Sequence, residues 1–415
     1  MSEIQWNSEQ KQAIQQILDW VNNKNGERNM SLSGFAGCGK STLMKEVSKH
    51  IRKDTISWTA MTGKAALRLS QASNVPASTL HSQLYGRPKF GKRGSLLFEH
   101  VNMEKRPDIL VIDESSMTNA KIYEDLQIWV ENGTKILFVG DPFQLPPVQT
   151  PEEEAKYGED FSIFHIVKGP VLTKVMRSSD DVVKVATVLR EEGKLQQRSE
   201  GKYEFRRAHL PEKIAIDDYF SNREDHALIT WRNAMRMSSN KEIRKRLGYP
   251  DIIPMEGEPV LICKNSKEYL NGEVVTVRDF KPGPRLGEMN TYWLTDNKGI
   301  KNLVSVDGRN TKLDGMMPIK NDWKAYVADK KKIGVEDPVP VTYGYSFSCH
   351  KYQGNEAKRV TVFLAADDTR NPHFIKKTKL PDGRHIPFAT RWTYTAITRA
   401  KEQVTVILGE FHNES

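Results

Sequence analysis

Cysteine is almost missing: Cys38, Cys263 and Cys349 are the three in 415 residues, and they stand far apart. That spacing excludes a disulfide framework or a zinc knuckle and suits a reducing compartment. Long apolar runs are missing too. Ile109-Leu110-Val111-Ile112 and Ile136-Leu137-Phe138-Val139 fall well short of the roughly 18 residues a membrane-spanning helix requires. The opening residues, Met1-Ser2-Glu3-Ile4-Gln5-Trp6, hold neither a basic nor an apolar stretch, so no secretory leader is expected. Internal repeats and low-complexity tracts are absent as well. The expectation is a soluble cytoplasmic protein, with room for about three domains at roughly 100–200 residues each. What is present supports a folded core: 38% of residues are hydrophobic and 28% charged, outside the range of disordered chains. Lys and Arg number 62 against 53 Asp and Glu, a net charge of +9. Fixed cations displace condensed counterions from phosphate backbones, so this balance favours a polyanionic partner without specifying one.

The first 150 residues alternate helical and strand patterns. Ala13, Ile14, Ile17, Leu18 and Val21 recur at the spacing of one helix face. Met30-Ser31-Leu32-Ser33 then runs as a short strand into a glycine-rich turn. The runs at 109–112 and 135–139 end on or near acidic residues, as expected of strands buried on both faces of a parallel sheet. Ligands gather at the carboxyl ends of such strands, which here carry Gly34, Asp113 and Asp141. Between 85 and 107 the pattern breaks. Gly86, Pro88, Gly91 and Gly94 surround Lys89, Lys92 and Arg93, which predicts a small basic hairpin.

An acidic stretch from Pro151, with Glu152, Glu153 and Glu154, reads as a linker. Alternation returns with a helix over 180–192, a strand over 227–230 and a helix over 239–247. Strand-like segments at 259–263, 272–277 and 291–294, with turn signals at Asn271-Gly272 and Pro282-Gly283, predict a small antiparallel barrel. The charged segment 320–332 interrupts it. Because alternation resumes at 360–364 and 404–408, the barrel reads as an insertion in a second α/β domain. The expected division is 1–84 with 108–150, a hairpin at 85–107, 151–250 with 343–415, and the barrel at 251–342.

The strongest chemical signal is Gly34-Phe35-Ala36-Gly37-Cys38-Gly39-Lys40-Ser41, which satisfies G-x-x-x-x-G-K-[ST] between a strand and an apolar helix. Gly37, Cys38 and Gly39 form the part of the loop where backbone N–H groups turn inward around phosphate oxygens. Lys40 brings a point charge to the terminal phosphates, and the Ser41 hydroxyl suits Mg²⁺. ATP and Mg²⁺ are the ligands this pattern implies; Cys38 reads as a small loop residue. Asp113-Glu114 follows a buried run. Asp113 at the strand end can hold hydrated Mg²⁺, while Glu114 orients or deprotonates water. Gln144, in Gly140-Asp141-Pro142-Phe143-Gln144, places an amide where a γ-phosphate and its attacking water are sensed. Nothing signals the second small substrate that a kinase would need.

More segments follow in order: Asn7-Ser8-Glu9-Gln10, Thr59-Ala60-Met61-Thr62-Gly63-Lys64, Ala77-Ser78-Thr79-Leu80-His81-Ser82, Leu172-Thr173-Lys174-Val175-Met176-Arg177, Ser348-Cys349-His350-Lys351-Tyr352-Gln353-Gly354 and Tyr394-Thr395-Ala396-Ile397-Thr398-Arg399. With the phosphate loop and the acid pair, they resemble the motifs of superfamily-one DNA helicases of the RecD and Dda branch over nearly the whole chain. Met61 stands where that family has proline, and Ser348 where threonine is usual.

The resemblance implies an α/β fold of two RecA-like parallel-sheet domains, with a β-hairpin pin and an SH3-like accessory barrel inserted. It implies an ATP-dependent helicase moving 5′ to 3′ on single-stranded DNA. Gln10 would read the adenine, Gly354 would lie among the nucleotide-binding residues, and Arg177 and Arg399 would reach the γ-phosphate. Thr62, Thr79, His81, Ser348 and His350 would contact the strand. The expected partners are single-stranded DNA, its junctions with duplex, and a single-strand-binding protein. A monomeric phage product in the host cytoplasm completes the expectation.

The physics is coherent beside the likeness. An arginine from a second domain stabilises charge on the transferred phosphoryl group only when the cleft closes, which makes hydrolysis conditional on closure. Phe98 of the hairpin is a candidate stacking residue for a pin; a place in the hairpin's own core is the other reading. Trp231 stands between base stacking and core packing, and Lys330-Lys331-Lys332 reads as a solvated face. Two rivals stay open: a translocase that strips bound proteins or acts on RNA, and a non-catalytic single-strand-binding module.

Overall fold

The computed structural model describes residues 5–73, 75–85, 89–90, 96–97, 100–101, 106–176, 181–249, 253–264, 266, 268–269, 271–287, 289–306 and 323–410. Among them no helix is long and apolar enough to cross a membrane. The chain divides into two compact units. The first comprises Met1–Pro88, Phe98–Glu204 and Thr369–Thr398; the second comprises Lys89–Leu97, Phe205–Asp368 and Arg399–Ser415.

In the first unit six strands form one parallel sheet, in the order Ala77–Thr79, Ile56–Ala60, Ile109–Asp113, Lys135–Gly140, Asn29–Gly34, Val171–Leu172. The apolar runs are buried on both faces as the pattern requires. Ile109 and Val111 join the core on one side with Leu32, Leu43 and Trp58, whereas Leu110 and Ile112 join Leu126, Trp129 and Phe138 on the other. The helix Ser8–Asn22 starts on a capping box made by Asn7 and Gln10 and buries Ala13, Ile17 and Trp20. At its other end the buried Lys135 ammonium donates to the carbonyls of Trp20, Val21 and Asn23. Those carbonyls have no partner within the helix, so a cation there completes its last turn.

Four expectations change, the last of them in the barrel described below. The stretch from Pro151 is not a linker: Pro151–Tyr157 is a helix with a capping box from Thr150 and Glu153, and its acidic residues sit at the first turn, where the helix dipole favours them. Residues up to Glu204 and the segment Thr369–Thr398 fall in the first unit, where the second was expected. Val171–Leu172 hydrogen-bonds to Asn29–Gly34, and the helices Asp181–Glu192 and Phe388–Ile397 pack together. The helix expected over 239–247 begins earlier, at Asn233.

The second unit holds a five-strand sheet in the order Ser346–Ser348, His226–Thr230, Ala357–Leu364, Ala400–Gly409, Tyr203–Ala208. Five strands, Pro259–Ile262, Val274–Pro282, Tyr292–Asp296, Lys301–Val306 and Val339–Tyr343, close into a barrel. The barrel is not wholly antiparallel: Lys301–Val306 and Val339–Tyr343 pair in parallel. Parallel neighbours need a long crossover, and the segment between these two, which includes the helix Trp323–Ile333, supplies it. In the region expected to form a hairpin, Lys89–Phe90 and Leu96–Leu97 pair antiparallel. Phe98 and Arg177 lie outside the described residues.

Candidate active site

The strand Asn29–Gly34 hands the chain to the loop that ends at the helix Lys40–Ser48. Gly37 and Gly39 adopt φ of +81° and +83°, which L side chains rarely tolerate. A Cβ on Gly39 would stand 3.0 Å from Gln10 Nε2. The Lys40 ammonium lies within the loop and donates to the carbonyls of Gly34 at 2.7 Å and Phe35 at 3.1 Å. Ser41, the second residue of the helix, is exposed. Cys38 is fully buried, and that burial pushes its thiol up, as expected of an inert loop residue.

Gln10 braces this loop. Its Nε2 donates to the Cys38 carbonyl at 3.1 Å, while its Oε1 accepts from Asn7 N at 3.2 Å. One N–H and one lone pair of the amide are engaged, which leaves a second N–H and a second lone pair on the same side chain. Behind the loop, the Arg190 guanidinium lies 3.6 Å from the Phe35 ring centroid.

The acid pair follows at the end of Ile109–Asp113. Burial and the Glu114 charge push the Asp113 carboxyl up to about 6, against the pull of Lys40. Asp113 Oδ1 accepts from Glu114 N at 2.9 Å. Glu114 itself has φ 56° and ψ 37°, a left-handed backbone that costs a non-glycine residue about 1–3 kcal/mol and tends to mark functional turns. On the neighbouring strand, buried Asp141 accepts from Phe143 N at 2.9 Å and from the Tyr394 hydroxyl at 2.7 Å. Gln144 is 6% exposed, and its Oε1 has no hydrogen-bond partner among the described residues. An orphaned buried acceptor of this kind requires an explanation, and a water or ligand hydrogen supplies one.

The helix Phe388–Ile397 carries the start of the motif that begins at Tyr394, but Arg391 and the contacts this helix face makes were missed by sequence reasoning. Arg391 donates from Nε and Nη2 to the Gln144 carbonyl, at 2.9 and 2.6 Å, and from Nη2 to the Pro142 carbonyl at 3.1 Å. Thr395 Oγ1 accepts from Leu145 N at 2.9 Å. Arg391, Tyr394 and Thr395 stand at the i, i+3, i+4 spacing of one helix face, the signal that would have grouped them.

The segment before Arg177 is also tethered. The Glu9 carboxylate accepts from Thr173 Oγ1 at 2.6 Å and from the backbone N–H groups of Thr173 and Lys174, bonds that hold its carboxyl below the ordinary range. Met176 N donates to the Gly37 carbonyl at 3.0 Å.

The remaining candidates separate. In the first unit, Thr62 Oγ1 accepts from Ala65 N at the start of the helix Gly63–Ser73, and Thr79 Oγ1 accepts from Ser82 N. Exposed His81 follows Thr79 and lies 5.8 Å from the Tyr85 ring. In the second unit, Ser348 ends its strand beside Thr230, Gly354 has φ +77°, and burial pushes the His350 imidazole down. Arg399 is buried there, its carbonyl accepting from Ala357 N.

Among the described residues no three His, Cys, Asp or Glu side chains gather as they would for a metal held by protein alone. A cation at Ser41 and Asp113 would therefore draw most of its ligands from phosphate oxygens and water, the usual habit of Mg²⁺. The inward-turned loop, the caged ammonium and the acid pair fit a nucleoside triphosphate with that ion.

Residues 5–208 match a family model described as an AAA domain. The chain is 39% identical over 126 residues to the ATP-dependent RecD2 DNA helicase of Deinococcus radiodurans, covering 30% of this chain and 17% of that one. It is 30% identical over 189 residues to the ATP-dependent DNA helicase dda of Enterobacteria phage T4, covering 44% and 42%. The chain thus spans less than half the length of either relative. A crystal structure of Pif1 helicase from Bacteroides in complex with ADP-AlF3 and single-stranded DNA overlays 97% of this chain and 92% of its own, with a TM-score of 0.56 at 16% identity, a likeness of fold.

Proposed function

From the chain's place among the superfamily-one helicases of the RecD, Pif1 and Dda branch, we propose that it is an ATP-dependent DNA helicase that moves along single-stranded DNA. The observation that carries this reading is the phosphate cradle itself. Its glycines turn left-handed around a caged Lys40, in reach of the Asp113 and Asp141 charges.

In this mechanism Lys40 exchanges the carbonyls of Gly34 and Phe35 for phosphate oxygens. Glu114 orients the attacking water and accepts its proton, and Gln144 Oε1 takes up a hydrogen bond from that water. Mg²⁺, held by Ser41 and Asp113, would neutralise charge on the phosphate oxygens. Arg177 and Arg399 add guanidinium charge as the terminal phosphoryl group detaches. Thr62, Thr79, His81, Ser348 and His350 touch the strand backbone and read no sequence. In the same reading the barrel is an SH3-like accessory domain and the hairpin, with Phe98, is the pin. Parting a base pair costs about 1.4 kcal/mol per step, so a wedge that blocks re-pairing suffices. A monomer moving 5′ to 3′ and cooperating with a single-strand-binding protein completes the proposal.

Strand displacement on duplexes carrying a 5′ or a 3′ overhang, in DNA and in RNA, tests activity, substrate and direction together. Release from the 5′-tailed DNA alone is the expected result. Lys40→Ala should lose roughly a hundredfold or more of the DNA-stimulated hydrolysis while still binding the strand. Normal hydrolysis by that variant would sink the reading. Hydrolysis that single-stranded DNA does not stimulate would favour a plain binding module.

A further inference from the structure

We propose that Tyr394 is a positioning residue of the hydrolytic site: its hydroxyl ties the phosphate loop to the turn that carries Gln144. The inference rests on the nucleotide-hydrolysing reading above and adds to it a route by which the loop and Gln144 sense each other. Tyr394 is 1% exposed. Its hydroxyl oxygen accepts from Ala36 N at 3.0 Å and its hydrogen goes to Asp141 Oδ2 at 2.7 Å. With the Ala36 N–H donating inward, a single orientation of the hydroxyl remains, and the chain N–H···O–H···O⁻ polarises along its length. The other Asp141 oxygen accepts from Phe143 N, and the Phe143 ring meets Tyr394 edge-on at 4.9 Å. Asp141 therefore joins Tyr394 to the first peptide of the turn ending in Gln144.

The neighbours of Tyr394 on its helix secure the rest of that turn. Arg391 holds the carbonyls of Pro142 and Gln144, and Thr395 holds Leu145 N. Displacement of the Ala36 peptide, which belongs to the phosphate loop, is transmitted through one hydroxyl to Asp141 and on to the backbone of Gln144. The side chain so placed is the one whose buried Oε1 lacks a hydrogen-bond partner among the described residues. Tyr394 touches no reacting atom in this scheme; it acts through Asp141 on Gln144.

The test compares the wild-type chain, Tyr394→Phe, Asp141→Asn and the double variant. Tyr394→Phe keeps the ring against Phe143 and removes only the hydroxyl. The kcat of hydrolysis, basal and with single-stranded DNA, should fall roughly tenfold to a hundredfold, with KM for ATP and strand affinity within about twofold. Affinity for ADP with aluminium fluoride should fall by a similar factor while ADP alone binds normally, since a misplaced Gln144 weakens recognition of the transition state only. The double variant should be no slower than the worse single, because both break one chain. A kcat within about twofold of wild type, losses that multiply in the double variant, or an equal loss of ADP affinity would each overturn the proposal. Wild-type chain that DNA does not stimulate, or that hydrolyses nothing, overturns the motor reading instead. The two nucleotide affinities still decide Tyr394 in that case.

Discussion

Burial and the neighbouring Glu114 lift the Asp113 carboxyl to about 6, from an ordinary value near 4. The folded chain therefore binds a proton that the unfolded chain has released between those two values. Stability falls as the pH rises through about 4 to 6, and above that window the folded state carries a charge held out of water at a cost of up to about 3 kcal/mol. Asp113→Asn should raise the thermal midpoint at pH 8, lose that gain by about pH 4, and abolish hydrolysis at both. A midpoint unchanged at pH 8 would show that the carboxylate is better solvated than its surroundings imply. At this scale the phosphate loop and the acid pair were legible, because each is a run of adjacent residues whose chemistry follows from spacing. Arg391 was not, and neither was the bond from Tyr394 to Asp141, since these partners lie about 250 residues apart in the chain. The engagement of Gln10 with the Cys38 carbonyl was not legible either.

The helix Asn233–Arg246 meets the start of the barrel through one buried ion pair. Arg244 Nε donates to Glu258 Oε1 at 2.6 Å, both side chains at most 3% exposed, and the guanidinium lies 4.0 Å from the Tyr343 ring centroid. Removing one partner of such a pair leaves an uncompensated charge, a loss of about 3–5 kcal/mol, whereas replacing both with apolar groups is often neutral. Urea unfolding should show that loss for Arg244→Met and much of it recovered when Glu258→Leu is added. Elements carried by periodicity, such as the helix Ser8–Asn22 and the strand Ile109–Asp113, were readable from pattern alone. The segment at Pro151 was misread because three consecutive glutamates look solvated, whereas a capping box and the helix dipole turn them into a first turn. The parallel closure of the barrel was hidden for a different reason: strand direction depends on a crossover, which local turn signals do not encode.

Across the whole molecule the +9 net charge and the proposed strand contacts make separable contributions to binding. Thr62 and Ser348 are uncharged, and burial favours the neutral form of His350. Neutral groups release no counterions. Replacing Thr62 with Val, or His350 with Asn, should weaken binding to single-stranded DNA. The slope of log affinity against log salt should stay within about 0.5 of the wild-type value. A slope that falls by more would make His350 a cationic contact. Two α/β sheets and an inserted barrel could be anticipated from the order of the patterns. The membership of Thr369–Thr398 in the first unit could not, because it depends on which sheet a late helix finally covers.

The barrel's first and last strands, Pro259–Ile262 and Val339–Tyr343, are hydrogen-bonded neighbours, with Val260 opposite Tyr343. The two points where the backbone leaves and rejoins its host are thus only about 5 Å apart. A detour of some eighty residues is stitched on like a side pocket, so another module with adjoining ends could take its place provided the seam keeps Tyr343, which packs into the core of the host sheet.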